Sequence, residues 1–328
     1  MKENGINVLS LFDGISCAKL ALEKAGIKVK NYYSSEIDKS ALAVQNYHYS
    51  ADTSFHQIGD VKNIDGVKYA HEIDLVIFGS PCTQLSSVNS KDRSGLEGPD
   101  SSLFYEAYRI LNEIFAFQPA TKHLYFLMEN VASMSNKNRD KITYDLSITF
   151  PDLKLLKIDS ALVAPAHRRR YYWSNLPNLS QPQPVNIKYQ DIVENGYVDR
   201  DKANVLLSTN VTLTNGINRC YTRNIGNIIF KDIEFAELPK EGKLLTYPFI
   251  LHQSGYKGQS KIINSEYAFP NGCYRLPSVL ESERLMTIPD TYVSDVPNIS
   301  KTEKQRIIGL SFTVDVVAHL LKPLKDIL

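Results

Sequence analysis

The sequence predicts an α/β protein built on a mainly parallel sheet, with a smaller irregular region late in the chain, on three observations. The run Leu75-Val76-Ile77-Phe78 is short, rich in β-branched and aromatic residues, and stopped at once by Gly79-Ser80-Pro81, the pattern of a strand buried on both faces. A strand-like run from Ile6 to Phe12 meets the turn Asp13-Gly14-Ile15-Ser16 and then helical apolar spacing from Cys17 to Gly26, the first unit of a nucleotide-type α/β domain. Beyond Pro177 the pattern changes to short β-type runs between polar turns.

Composition bounds the function classes. With 328 residues, 43% hydrophobic and 22% charged, the chain has the make-up of a folded protein with room for one large domain and a smaller one. A formal charge of +1 confines any nucleic-acid footprint to a local patch. The four cysteines, Cys17, Cys82, Cys220 and Cys273, form no C-x-x-C pair, which disfavours a zinc site or disulfide framework and fits a reducing, intracellular compartment. No apolar stretch nears the roughly eighteen residues of a membrane span, and Asp13 interrupts the N-terminal run before a signal-peptide core forms.

Taken in order, the N-terminal turn carries Gly14 alone of a G-x-G-x-x-G fingerprint, which argues against a dinucleotide and leaves room for a cofactor without a pyrophosphate. Strand two, Lys30 to Ser35, ends in Glu36-Ile37-Asp38; Glu36 either accepts from two ribose hydroxyls or caps the helix from Lys39 to Tyr47. Gly59-Asp60-Val61 follows a third strand and offers a carboxylate to an adenine amino group. Cys82 sits just past the buried strand, where it is either a nucleophile or a packed thiol. Ser86 to Asp100, with Lys91 and Arg93, is a lid over an anionic substrate or a solvated loop. Leu103 to Phe115 is an amphipathic helix, and Leu124 to Met128 is a strand that delivers Glu129-Asn130-Val131 to the same sheet edge. Pro151 to Leu162 reads as a strand pair. In Ala166-His167-Arg168-Arg169-Arg170-Tyr171-Tyr172-Trp173, alternation puts Arg168 and Arg170 on one side, either gripping a phosphate or base carbonyl or serving as ion-pair partners. Pro177 to Pro184 is linker-like, and Val185 to Gly272, with Arg223, Asn224 and Lys257 among interleaved basic and amide residues, is a recognition region or a solvated insertion. Ser278 to Met286 and Glu303 to Leu324 are helices, the second broken at Gly309-Leu310-Ser311-Phe312.

These motifs, in this order and spacing, resemble those of the cytosine-5 DNA methyltransferases: Phe12-Asp13-Gly14, Glu36, Gly59-Asp60-Val61, Gly79-Ser80-Pro81-Cys82, Glu129-Asn130-Val131, Arg168-Arg169-Arg170 and Gly309-Leu310-Ser311. Ser87-Val88-Asn89, Gly95-Leu96-Glu97-Gly98 and Ala318-His319-Leu320 are nearest to the catalytic domain of the animal de novo enzymes. Ser16 and Leu310 depart from the common pattern, which has a second glycine and an asparagine there. The resemblance implies a Rossmann-like S-adenosylmethionine-dependent methyltransferase fold over residues 1–177, completed by 296–328, with a small irregular target-recognition domain and hinge over 178–295.

It also implies roles. Cys82 is the nucleophile, Glu129 contacts the cytosine ring, and Arg168 and Arg170 hold its carbonyl and a phosphate. Phe12, Asp13, Gly14, Ile15, Ser16, Cys17, Glu36, Ile37, Asp60, Val61, Gly79, Pro81, Leu103, Ser311 and Phe312 form the S-adenosylmethionine pocket; no metal is required. Ser86, Ser87, Asn89, Lys91, Arg93, Arg169, Arg223, Asn224 and Lys257 meet double-stranded DNA, with CpG the target by analogy and a monomer or homodimer as the assembly. The implied role is a modification enzyme, solitary, phage-encoded or paired with a restriction nuclease. An amino-group methyltransferase requires an acidic residue, Asn or Ser followed by Pro-Pro and an aromatic, which Ser80-Pro81-Cys82 lacks; the Cys-Phe-Thr motif of the transfer-RNA branch is absent; and a catalytically dead DNA-binding regulator has no need to keep both Cys82 and Glu129.

Overall fold

A computed structural model of the protein describes residues 5–81, 103–207, 220, 224–239, 249–251, 261–263 and 274–327. Seven strands form its main sheet: β1 (Ile6–Leu11), β2 (Val29–Ser35), β3 (Phe55–Gln57), β4 (Leu75–Phe78), β5 (Tyr125–Val131), β6 (Lys154–Asp159) and β7 (Arg169–Ser174). Their spatial order is β3-β2-β1-β4-β5-β7-β6, parallel except that β7 runs antiparallel to both its neighbours.

Period-two alternation divides the core between the two faces of this sheet. Val8, Leu75, Ile77, Tyr125 and Leu127 pack on one face with the first helix, α1 (Cys17–Lys24), and a C-terminal helix, Val314–Leu321. Leu9, Leu11, Val76, Phe78, Phe126 and Met128 pack on the other with Phe104, Ala107, Ile110 and Leu111 of Leu103–Phe117 and with Ile142 and Leu146 of Asn136–Thr149. Among the described residues the helices are, in chain order, α1, α2 (Lys39–Tyr49), α3 (Leu103–Phe117), α4 (Asn136–Thr149), α5 (Ile233–Glu237), α6 (Val279–Leu285), α7 (Lys301–Leu310) and α8 (Val314–Leu321), separated in places by short 3-10 turns. The result is three layers, with helices covering both faces of the sheet.

The structure corrects the sequence reading at several points. Residues 151–162 hold one strand, β6, and its partner is β7, because the chain turns through Ser160–Leu162 before returning. Glu129 lies within β5 rather than beyond it. Helix α4 was not expected; its apolar residues are sparse, and it is fixed by the Ser135 cap and burial of Ile142 and Leu146. The linker-like stretch after Pro177 packs on the body: Leu179 is in the main core and the Ser180 carbonyl meets His319 Nε2 at 3.1 Å. Met286, Ile288, Tyr292 and Val293 also join that core, so the return to it begins about ten residues before residue 296. Buried Glu283 holds this return by accepting from the backbone N–H groups of Thr291 (3.3 Å), Val293 and Ser294 (2.8 Å).

Between these segments lie two small clusters, one of Cys220, Ile228, Phe230, Ala236 and Tyr274, the other of Ala166, Tyr189, Ala203, Ile229 and Leu285. Two-stranded pairings join β8 (Ile229–Phe230) to β11 (Tyr274–Arg275) and β9 (Phe249–Leu251) to β10 (Lys261–Ile263). Of the short β-type runs that the sequence offers beyond Pro177, those at 211–213 and 244–247 lie outside the described residues. The C-terminal stretch 301–326 is long and apolar enough by composition to cross a bilayer, but it is interrupted between α7 and α8, and most of its apolar part is buried in the protein.

Candidate active site

The carboxyl ends of β1 to β5 share one edge, the place where open α/β sheets bind ligands. After β1, Phe12, Gly14 and Ser16 take positive φ angles of 55°, 59° and 62°. Such geometry is strained for residues with a Cβ and persists only when the surroundings fix it. Asp13 does so: its buried carboxylate accepts from Ser10 Oγ (2.5 Å), Ser16 Oγ (2.6 Å), the Tyr32 hydroxyl (2.6 Å), Ser34 Oγ (2.8 Å) and Gln45 Nε2 (3.2 Å). Burial pushes the Asp13 carboxyl upward and the hydroxyl donors counter it. The expectation that Asp13, Ile15, Ser16 and Cys17 line a cofactor is therefore corrected for their side chains, which face the interior. Sequence reasoning missed Tyr32, Ser34 and Gln45, since nothing local marks a residue that supports a loop from below.

The open side of the loop is different. Gly14 and Gly59 both adopt positive φ, and a Cβ added at either would meet nothing within 4 Å. Between them Glu36 accepts from Gly14 N (2.7 Å) through Oε2 and from Ile37 N (2.7 Å) and Asp38 N (2.8 Å) through Oε1. Asp38, not Glu36, caps α2. A carboxylate has about four acceptor positions, so with three taken Glu36 keeps capacity for one further donor, such as a single ribose hydroxyl. Ile37 is 65% exposed beside it, an apolar surface for a base. Asp60 caps the turn Val61–Asn63 through Lys62 N (3.0 Å), and Val61 is buried. This set fits the nucleoside part of S-adenosylmethionine.

The adjoining part of the edge is built on β4 and β5. An ideal Cβ at Gly79 would lie 2.8 Å from Phe312 Cε1 and 3.4 Å from Glu129 Oε2, so only glycine lets the three meet. Glu129 Oε1 pairs with Arg170 Nε at 2.8 Å, both side chains nearly enclosed. Tyr172 stands opposite Glu129 across β5 and β7, its hydroxyl pushed upward first by burial and then by the Glu129 charge. Asn130, which sequence reasoning quoted but gave no role, is buried and donates Nδ2 to the Ser80 carbonyl (3.3 Å) and Ser80 Oγ (3.1 Å). It thereby fixes the turn that runs through Pro81 toward residue 82.

Cys82 lies outside the described residues, as do Ser86, Ser87, Asn89, Lys91, Arg93, Arg223 and Lys257. Burial pushes the Cys17 thiol up to about 12, so it carries no thiolate at neutral pH, and Cys220 is likewise buried. Arg168 is buried, and its guanidinium donates to the carbonyls of Gly309 (3.2 Å) and Ser311 (2.9 Å). Arg169 points to solvent and donates to Asp159 at 3.1 Å, and Asn224 is exposed. Leu103 is half-buried at the start of α3, Phe312 borders Gly79 from the C-terminal turn, and Ser311 before it is buried. Among the described residues no group of three or more His, Cys, Asp or Glu is placed to hold a metal.

A family model for C-5 cytosine-specific DNA methylases matches residues 6–162, the stretch that holds Phe12, Glu36, Gly79 and Glu129. Over that stretch, 157 of 328 residues, the chain is similar to the cytosine-5 DNA methyltransferases. A rice (Oryza sativa subsp. japonica) DNA (cytosine-5)-methyltransferase, DRM1A, is 38% identical over 119 residues, 34% of this chain and 25% of that one; the chain thus spans about a quarter of that relative's length. The type II methyltransferase M.FnuDI of Fusobacterium nucleatum is 25% identical over 98% of this chain and 95% of its own. The solved structure of the Entamoeba histolytica methyltransferase EhMeth superposes with a TM-score of 0.70 over 99% of this chain and all of its own, at 13% identity, and so speaks for the fold.

Proposed function

We propose that the protein is a DNA (cytosine-5)-methyltransferase that modifies a cytosine swung out of double-stranded DNA. The observation that carries this reading is the Glu129–Arg170 pair seated against Gly79 at the head of the turn that leads to Cys82. Carbon 5 of cytosine is too weak a nucleophile to take a methyl group unaided. Addition of the Cys82 thiolate to carbon 6 pushes electrons onto carbon 5; loss of the carbon 5 proton after methylation then expels Cys82 and restores the ring. S-Adenosylmethionine supplies the electrophilic methyl. Glu129 shares a proton with ring nitrogen N3, and Arg170 orients Glu129 and stabilises charge at the base carbonyl. Because carbon 6 is inaccessible within a stacked duplex, the base is flipped. Residues 178–295 supply target recognition, with Arg169 and Asn224 among the exposed polar groups that meet DNA, and CpG is the first target to test.

The test is bisulfite sequencing of DNA from cells that express the chain, beside in vitro assays of Cys82→Ala. Methylation is expected with the native chain and lost in the variant while S-adenosylmethionine binding persists; turnover without Cys82 overturns the assignment.

A further inference from the structure

Arg168 and Arg170 lie two positions apart on the same side of the chain, yet they serve different ends of the site. Arg170 meets Glu129 on the side of the base. Arg168 reaches the end of α7, where the last carbonyls of a helix lack partners within the helix. Ser311 deals with one of these itself, its Oγ donating to the Ile307 carbonyl at 2.8 Å. Arg168 takes Gly309 and Ser311, either side of Leu310, and a cation at a helix C-terminus is favoured by the helix dipole as well. The Arg168 backbone is itself fixed, its N–H donating to Asp159 Oδ1 at 3.0 Å. The residue after Ser311 is Phe312, whose ring rests against Gly79.

We propose that Arg168 is a positioning residue for the cofactor: it locks the 309–312 turn so that Phe312 forms a fixed wall over Gly79. This rests on the cofactor reading above. The two arginines then divide the labour, one for the methyl donor and one for the base.

The division predicts opposite kinetic signatures. In Arg168→Met the dissociation constant for S-adenosylmethionine, read by calorimetry, rises about ten- to a hundred-fold, the usual range for a lost charge-assisted hydrogen bond, while kcat at saturating cofactor stays within about three-fold. Arg168→Lys, which reaches one carbonyl, rescues most of the affinity. Should the methionine variant fail to fold, Arg168→Gln combined with Phe312→Ala decides the matter: the effects on affinity are non-additive if Arg168 acts through this turn. Native affinity with a collapsed kcat in the Arg168 variants, or strictly additive effects, overturns the proposal. A native chain that binds no S-adenosylmethionine at all overturns the cofactor reading, and this inference with it.

Discussion

Replacing Gly79 by alanine sets a carbon 2.8 Å from the Phe312 ring, too close for either to stay. Gly79→Ala is therefore expected to weaken S-adenosylmethionine binding at least ten-fold while shifting the melting temperature little, because the ring can swing toward solvent. Glu129→Gln keeps the shape but removes both the charge that Arg170 balances and the proton that the proposed mechanism has Glu129 share with the base. A loss of about 10²- to 10⁴-fold in kcat, with cofactor affinity near native, is the expected outcome of steady-state assays set beside calorimetry. Asn130→Asp swaps the donor that grips Ser80 for an acceptor that the Ser80 carbonyl cannot pair with, which is expected to cost about 1–3 kcal/mol in denaturant unfolding and to depress methylation.

At the scale of elements, β6 and β7 are pinned by Asp159. Burial alone would raise its carboxyl, but donors from His167, Ala161 N, Arg168 N and Arg169 together hold it below the usual aspartate range. With the folded value below the unfolded one, near 3.9, this stabilisation is complete above about pH 4 and is lost as pH falls through the folded value. Thermal melts between pH 7 and pH 3 should thus show a shallower acid loss in Asp159→Asn than in the native chain. The same elements show what was legible in the sequence. Strands β1, β2 and β4 and helix α3 announced themselves through apolar runs and helical spacing, because their burial is dense and regular. Helix α4 escaped because it buries little and relies on its cap, and the partner of β6 was misplaced because strand pairing is a long-range choice that local pattern does not encode. In the site, Gly79, Glu36 and Glu129 were visible as punctuation at strand ends. The tasks of Arg168 and Asn130 were not, since each depends on a carbonyl distant in sequence, at Ser311 and Ser80 respectively.

The molecule as a whole is two hydrophobic layers sharing one sheet. Leu320→Ala on one face and Ile110→Ala on the other each open a fully enclosed position and are expected to cost about 2–5 kcal/mol. Because the strands are common to both layers, each variant should lower a single calorimetric transition of the sheet domain rather than split it. The loop after β1 carries a consequence of its own. Its left-handed residues are held by Asp13 and four side chains beneath it, so its shape is decided when the chain folds and is already present when a nucleoside arrives. Association therefore meets a rigid receptor and forfeits little conformational entropy, and loosening the understructure, as in Gln45→Ala, should slow capture of the ligand without touching a single atom that contacts it.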